Sequence, residues 1–391
     1  MDIVRVGIAG AGFAATLHAD GWRRVAGLDV RLVAVSAAHP HKAAAFAGRH
    51  GVERTYPDVD ALVADDEIDV VDCCVPNYLH AEVARAALDA GKHVVLEKPL
   101  TGAFADPATT PPAAMLADAV SAADELVQLA AARDRLLCYA ENWVYAPPIA
   151  KAQRLLATAG GTILRMRGEE SHSGTHSEPN KQWATAGGGS LLGKGCHPLG
   201  AALYLKREEG IARDGRPIRP RSVVAEVASL TKVESFAQEQ PKFLRTGYHD
   251  VEDWATLIVT FDDGTVAEIT AADTTLGGVR NTMTVFASNA VIEANLNPNS
   301  AVRAYAPDPG VLAGEYLSEK LETPAGWSSP APDEDWMQGY PQEMQDFAEC
   351  IATARQPRAD GQLGRDVLVV VYAGYESARG GRRVDVSSWF T

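Results

Sequence analysis

Over residues 1–140, short apolar runs alternate with stretches of helical periodicity. Ile3 to Ala9, Val30 to Val35, Val52 to Tyr56, Ile68 to Val75, Val94 to Leu96 and Leu136 to Tyr139 read as strands, most of them apolar on both faces, as strands covered by helices must be. The spacing between them predicts helices over 13–25, 41–50, 58–64, 80–90 and 113–133. Strand and helix in strict succession mean a parallel sheet. From Thr162 the period changes. Ile163 to Glu169, Ser222 to Leu230, Trp254 to Phe261, Thr265 to Ala271, Met283 to Ala287 and Val291 to Asn295 are short strand-like runs, and Asp262-Asp263-Gly264-Thr265 is a hairpin turn signal. Long surface loops are expected over 238–249 and 307–332, and helices over 340–354 and 364–379 that pack back across the structure. The pattern divides the chain into an α/β domain at 1–140 and an α+β domain at 141–391 whose meandering strands suggest a sheet with one face covered.

The first strand runs into Gly10-Ala11-Gly12-Phe13-Ala14-Ala15, a G-x-G-x-x-A turn. Gly10 permits the tight turn, Gly12 lets the backbone approach a pyrophosphate, and the N–H groups that open the helix, at Phe13 and Ala14, bind that anion. The context required for dinucleotide binding is present: a strand before, a helix after, and a second strand beyond. That second strand ends at Ser36, where an NAD site usually offers an acid to the ribose. Ser36 neither repels nor clamps a 2′-phosphate, so NAD is expected and NADP stays open. Pro76 and Asn77 occupy another strand's carboxyl end, on the nicotinamide side, and with His80, which follows them, are candidate cofactor contacts. At the fifth strand, Glu97 and Lys98 precede Pro99, again at a carboxyl end where ligands of open α/β sheets bind.

Taken together, the G-x-G-x-x-A turn, Pro76-Asn77-x-x-His80, Gly91-Lys92-His93-Val94 and Glu97-Lys98-Pro99 resemble the Gfo/Idh/MocA family of glucose-fructose oxidoreductases and inositol dehydrogenases. The resemblance implies a Rossmann domain for NAD(P) and a C-terminal α+β domain with a large, mostly antiparallel open sheet. It also implies that Lys98 contacts cofactor and substrate hydroxyl, and that Glu97 contacts the nicotinamide ribose. The Pro- and Thr-rich stretch over 101–112 departs from the family pattern and reads as an inserted loop, a candidate lid or subunit contact. Glu141-Asn142-Trp143-Val144-Tyr145-Ala146-Pro147 takes the place of the family's N-x-x-x-x-P segment, which makes Asn142 and Tyr145 candidates for substrate binding and proton transfer.

Gly187-Gly188-Gly189-Ser190-Leu191-Leu192-Gly193-Lys194-Gly195-Cys196-His197 resembles the family's G-G-G-x-x-x-D-x-G-x-H segment. His197 matches the catalytic His, whose imidazole titrates near operating pH. Gly193 replaces the Asp. Lys194, three positions from His197 on an expected helix, is a candidate for an anionic substrate group. Upstream, His172 and His176 offer proton transfer or sugar contacts, and Trp183 offers an apolar platform for a pyranose face. No carboxylate or thiolate completes a metal ligand set around them, and no metal is expected.

The net charge of −15 opposes nucleic-acid binding. No window approaches the ~20 apolar residues of a membrane span, and the chain enters an apolar strand from its first residues, so a cytoplasmic protein is expected. The five cysteines show no C-x-x-C spacing and read as reduced thiols. A meandering sheet with one face free suggests a homo-oligomer formed through that sheet. Three functions fit. The first is an NAD(P)-dependent oxidoreductase moving hydride from a ring carbon of a sugar, C3 favoured, with the substrate neutral or anionic. The second is an NAD-dependent glycosidase that oxidises, eliminates, hydrates and reduces, with sulfoquinovosides or other acidic glycosides as candidates. The third is a dinucleotide-sensing regulator.

Overall fold

The computed structural model describes residues 3–297 and 301–390. They form two compact units that are discontinuous in sequence: the first holds the chain up to Ala103, Ala117–Tyr145 and Gly339–Leu368, the second Phe104–Leu116, Ala146–Gln338 and the chain from Val369 onward.

The first unit carries six strands, β1 (Ile3–Ala9), β2 (Asp29–Ser36), β3 (Arg54–Tyr56), β4 (Val70–Cys73), β5 (His93–Glu97) and β6 (Leu137–Ala140). All pair in parallel, in the order β3-β2-β1-β4-β5-β6. This is the doubly wound arrangement, whose ligand crevice lies where the order reverses, between β1 and β4. Val4, Val6 and Ile8 on one face of β1 are at 0% exposure, and toward its carboxyl end Gly7 and Ala9 on the other face are buried as well, as a strand covered by helices on both faces requires. The helix Tyr340–Thr353 belongs to this unit and packs on the helix Phe13–Arg23. Their close approach needs Gly21, where a Cβ would lie 2.9 Å from Met344 Cγ. Residues 101–111 form a loop, as expected, and the following helix begins at Pro112.

The second unit holds β7 (Ile163–Ser171), β8 (Pro220–Ala228), β9 (Trp254–Phe261), β10 (Val266–Ala272), β11 (Arg280–Ala287), β12 (Val291–Asn297), a small pair β13 (Ala304–Ala306) and β14 (Gly326–Ser328), and β15 (Val384–Asp385). The large sheet runs β12-β11-β7-β10-β9-β8-β15 and is antiparallel at every step except β7 against β10. Its inner face packs on the helix Cys196–Asp214, which approaches so closely that a Cβ on Gly168 would sit 2.6 Å from Pro198 Cβ. Two details differ from the sequence reading. The helix Pro147–Ala159 was not anticipated, although Pro147 and Pro148 at its start and Gly160 at φ +65 at its end mark both termini. The expected loop over 307–332 contains β14 and a 3-10 turn at Pro309–Leu312. Among the described residues, no helix is long and apolar enough to cross a membrane.

Gly10 is the position least able to change: φ is +111 and a Cβ would lie 2.3 Å from the Cys74 carbonyl oxygen. At Gly12 a Cβ would meet nothing within 4 Å. Gly10→Ala should therefore lose about 2–4 kcal/mol in chemical denaturation, while Gly12→Ala should stay within about 1 kcal/mol of wild type. A wild-type denaturation curve for Gly10→Ala would refute the steric account.

Candidate active site

In the first unit, the sequence places its dinucleotide candidates at the strand ends. The helix Phe13–Arg23 begins directly after Gly12 without a side-chain cap, and Gly12 faces open space, so an anion can approach the helix terminus and the glycine backbone. Phe13 is exposed and Ala14 half-buried. Ser36 closes β2 with its hydroxyl buried and without a hydrogen-bond partner. These residues fit a dinucleotide whose pyrophosphate rests on the Gly10–Gly12 turn. Pro76 and Asn77 lie just beyond β4, where Asn77 opens a 3-10 turn.

His80 is turned inward. Its ring is 1% exposed and lies between two carbonyls, 2.7 Å from Pro99 O and 3.0 Å from Val75 O, and burial lowers its pKa. It braces the turn that carries Lys98 rather than presenting itself to a ligand, which corrects its assignment as a cofactor contact. Glu97 ends β5 with one oxygen accepting the Lys98 backbone N–H at 2.8 Å; Lys98 itself is half-buried.

Asn142 and Tyr145 follow β6 and are 3% and 1% exposed. The Tyr145 hydroxyl donates to Asp346 at 2.9 Å and accepts the Ala359 N–H at 3.0 Å, and burial pushes its pKa well up. Both hydrogen-bonding roles of that oxygen are occupied, so proton transfer by Tyr145 is corrected to a structural clasp.

The second unit gathers its candidates around a carboxylate that the sequence reading did not single out. Asp273, immediately after β10, is 2.7 Å from Lys194 Nζ, accepts the Ser190 hydroxyl at 2.6 Å and the Tyr248 hydroxyl, and lies 3.9 Å from His172 Nδ1. Lys194, Asp273 and Ser190 are all under 8% exposed. Lys194 therefore already has its counter-ion. It is not on the helix of His197 either: Ser190–Gly193 ends as a single turn, Lys194 leaves helical geometry at φ −125, and a new helix starts at Cys196. His197 remains beside it through its backbone N–H, which donates to Lys194 O at 3.0 Å. A Cβ at Gly193 would meet nothing within 4 Å, so the missing Asp leaves open space.

The other candidates separate. His172 is buried, with Nδ1 accepting the Gly174 N–H at 3.0 Å, whereas His176 is exposed on the loop beyond it. Trp183 is 5% exposed and packs edge-on against Tyr375 at 5.0 Å, which leaves it little face for a sugar and corrects its role to packing. The tail of the inserted loop is held within the second unit: Arg379 donates to the carbonyls of Pro107 and Thr110 at 3.0 and 3.1 Å.

The glycine-rich turn is fastened by Glu252, also unanticipated. Its carboxylate accepts the N–H groups of Gly189 at 3.1 Å and Leu191 at 2.9 Å and the Tyr375 hydroxyl at 2.9 Å. Asp273 and Glu252 left one sequence signal, acids bordering apolar strands, but acids at strand ends are common and their targets lie far away in the chain.

Residues 4–140 match an oxidoreductase family with an NAD-binding Rossmann fold, and residues 149–293 match the GFO/IDH/MocA C-terminal domain. A levoglucosan dehydrogenase of Pseudarthrobacter phenanthrenivorans is 29% identical over 69% of this chain and 68% of its own. A myo-inositol 2-dehydrogenase of Thermotoga maritima is 23% identical over 97% of this chain and 98% of its own. The crystal structure of GenD2 from gentamicin A biosynthesis in complex with NAD superposes with a TM-score of 0.80 at 25% identity, covering 99% of this chain and 97% of its own.

Burial pushes the Glu252 carboxyl up to about 7. An acid raised on folding holds its proton longer in the native state, so stability is highest below its unfolded pKa and falls as pH rises toward the folded one. Wild-type stability should decline by up to about 3 kcal/mol between about pH 4.5 and 7 from this group. In Glu252→Gln that part of the slope should vanish in denaturation curves taken across the window. An unchanged slope would mean that Glu252 titrates normally.

Proposed function

Because the chain belongs to the Gfo/Idh/MocA oxidoreductase family and carries its NAD-binding Rossmann domain, we propose that it oxidises a ring hydroxyl of a neutral sugar or cyclic polyol. The bound nicotinamide supplies the hydride acceptor. His197 takes the hydroxyl proton, and Lys98 stabilises the oxygen as it loses that proton. Glu97 accepts a hydrogen bond from the nicotinamide ribose, and Gly10, Gly12 and the N–H groups of Phe13 and Ala14 receive the pyrophosphate. We assign C3 of a pyranose as the carbon that gives up hydride. We assign sugar contacts to Asn142 of the first unit and to His172 of the second.

The observation that carries the choice of a neutral substrate is the Lys194–Asp273 ion pair at 2.7 Å. A lysine that neutralises a buried carboxylate offers no net charge to a sulfonate or carboxylate. An ion pair flanked by a serine hydroxyl and an imidazole instead presents donors and acceptors side by side, as adjacent sugar hydroxyls require. This agrees with relatives named for levoglucosan and myo-inositol. Redox glycoside cleavage would need further acid/base groups, and of those considered, Tyr145 is committed to Asp346 and Ala359 while His176 lies exposed.

We also propose a homo-oligomer formed through the outer face of the large sheet. The cross-strand row Ile258–Glu268–Arg167–Thr284 lies on that face, where Ile258, 42% exposed, offers an apolar contact and Glu268 and Arg167 offer charges of opposite sign to a second copy.

With NAD and a panel of levoglucosan, myo-inositol, glucose, glucuronate, sulfoquinovose and 4-nitrophenyl glycosides, a neutral ring should give stoichiometric NADH at 340 nm. Turnover of the anionic sugars alone would overturn the neutral-substrate reading. Nitrophenol release without NADH would establish the glycosidase, and cofactor binding with no turnover at all would favour a regulator. His197→Asn should lower kcat on the active substrate at least ~100-fold. Light scattering should show a discrete oligomer that Ile258→Glu reduces in size; a monomeric wild type would remove the proposed interface.

A further inference from the structure

His18 sits on the buried side of the helix Phe13–Arg23 and is 0% exposed. Its Nδ1 lies 2.8 Å from Asp72 Oδ1 and its Nε2 3.1 Å from Glu97 Oε1. The second oxygen of Asp72 accepts the indole N–H of Trp22 at 2.7 Å, and the second oxygen of Glu97 accepts the Lys98 N–H at 2.8 Å. An ionised carboxylate only accepts hydrogen bonds. Both ring contacts are therefore satisfied together when the imidazole carries two protons. A neutral ring would set a nitrogen lone pair against a carboxylate oxygen where water does not reach, at the cost of an unmade charge-assisted bond.

The groups around the ring allow this state. Burial is the largest single influence and opposes a charged imidazole, but Asp72 and Cys74 together, through charge and hydrogen bonding, hold His18 well above the ordinary histidine range. Cys74 Sγ lies 3.4 Å from Nδ1, and burial keeps that thiol protonated. From the helix Tyr340–Thr353, the Tyr340 ring stands 6.4 Å away and Glu343 contributes a fully buried carboxyl with neither oxygen hydrogen-bonded. Burial pushes the Glu343 carboxyl well above the usual carboxylate range; the His18 charge opposes this and Glu97, Glu141 and Asp72 add to it. An imidazolium here would stand between two carboxyl groups, each within hydrogen-bond reach.

We propose that His18 is a positioning residue: doubly protonated, it ties the helix that receives the pyrophosphate to the Glu97-Lys98 end of β5 and holds Glu97 as an ionised acceptor for the nicotinamide ribose. This rests on the roles given above to Glu97 and Lys98. One proton bridge then makes the two ends of the cofactor site a single mechanical body, so loss of the bridge loosens the grip on NAD and misaligns Lys98 without touching sugar recognition.

The test uses the full-length protein and the variants His18→Gln and Asp72→Asn. In wild type, nitrogen-15 NMR of labelled histidine should show one imidazole with both nitrogens protonated up to at least about pH 8. Each variant should raise the Kd for NAD, measured by calorimetry, roughly 10-fold or more, the equivalent of one hydrogen bond to a charged group. On an active sugar, kcat should fall with the sugar KM unchanged. A neutral His18, or variants that melt earlier yet bind NAD with wild-type affinity, would overturn the proposal. The NMR and NAD readouts need no turnover, so they stand even if the sugar oxidation proposed above proves wrong.

Discussion

Three strand ends of the first unit converge at Gly10, and much of the unit follows from how tightly they meet. Gly10 N–H donates to Ser36 O and Cys74 N–H donates to Ala9 O, each at 2.8 Å, while the Gly10 α-carbon presses on the Cys74 carbonyl. Only a residue without Cβ, at φ +111, lets β1 turn there. The turn sets where the helix Phe13–Arg23 starts, and the helical repeat then carries His18 and Trp22, four residues apart, onto one inward face above Asp72. An ordering of backbone at the switch point thereby becomes an ordering of charge beneath Glu97.

In the second unit the comparable constraint is the register of β9 against β10. Ala272 pairs with Trp254, and Asp273 N–H then donates to Asp253 O at 2.8 Å, so the acids flanking the two strands emerge at one end of the hairpin. From there Glu252 holds the backbone of Gly189 and Leu191, and Asp273 holds Ser190 and Lys194. The glycines matter for the same reason: at Gly189 a Cβ would lie 2.0 Å from Glu252 O. His197 starts the next helix from a turn that is anchored on both sides. Two buried acids thus stiffen a loop whose own sequence, rich in glycine, would otherwise leave it loose.

Much of the architecture was legible because it is periodic. The two strand classes, fully enclosed in β4 and alternating in β9, leave different hydrophobic patterns, and the glycine turn between β1 and its helix identifies itself by its neighbours. Reading failed where local pattern and local geometry part. A helix through Lys194 and His197 suits their spacing, yet the chain breaks at Lys194, with the preceding turn packed beneath Glu252. Trp183 looks like a sugar platform in one dimension and is a core residue in three. The helix Pro147–Ala159 lies outside the expected elements although proline opens it and glycine closes it.

The sequence by itself determined the strand and helix succession of the first unit, the dinucleotide turn, the placement of Glu97 and Lys98 at a strand end, and a His at the end of the glycine-rich cluster. These are matters of spacing between near neighbours, which a linear pattern records. Only the tertiary structure decided the ionic partnerships: His18 reaches across 54 positions to Asp72 and 79 to Glu97, and Lys194 spends its charge on Asp273. Strand order and register bring such pairs together, and each acid in the sequence is chemically as eligible as the next until the sheet has chosen its neighbours.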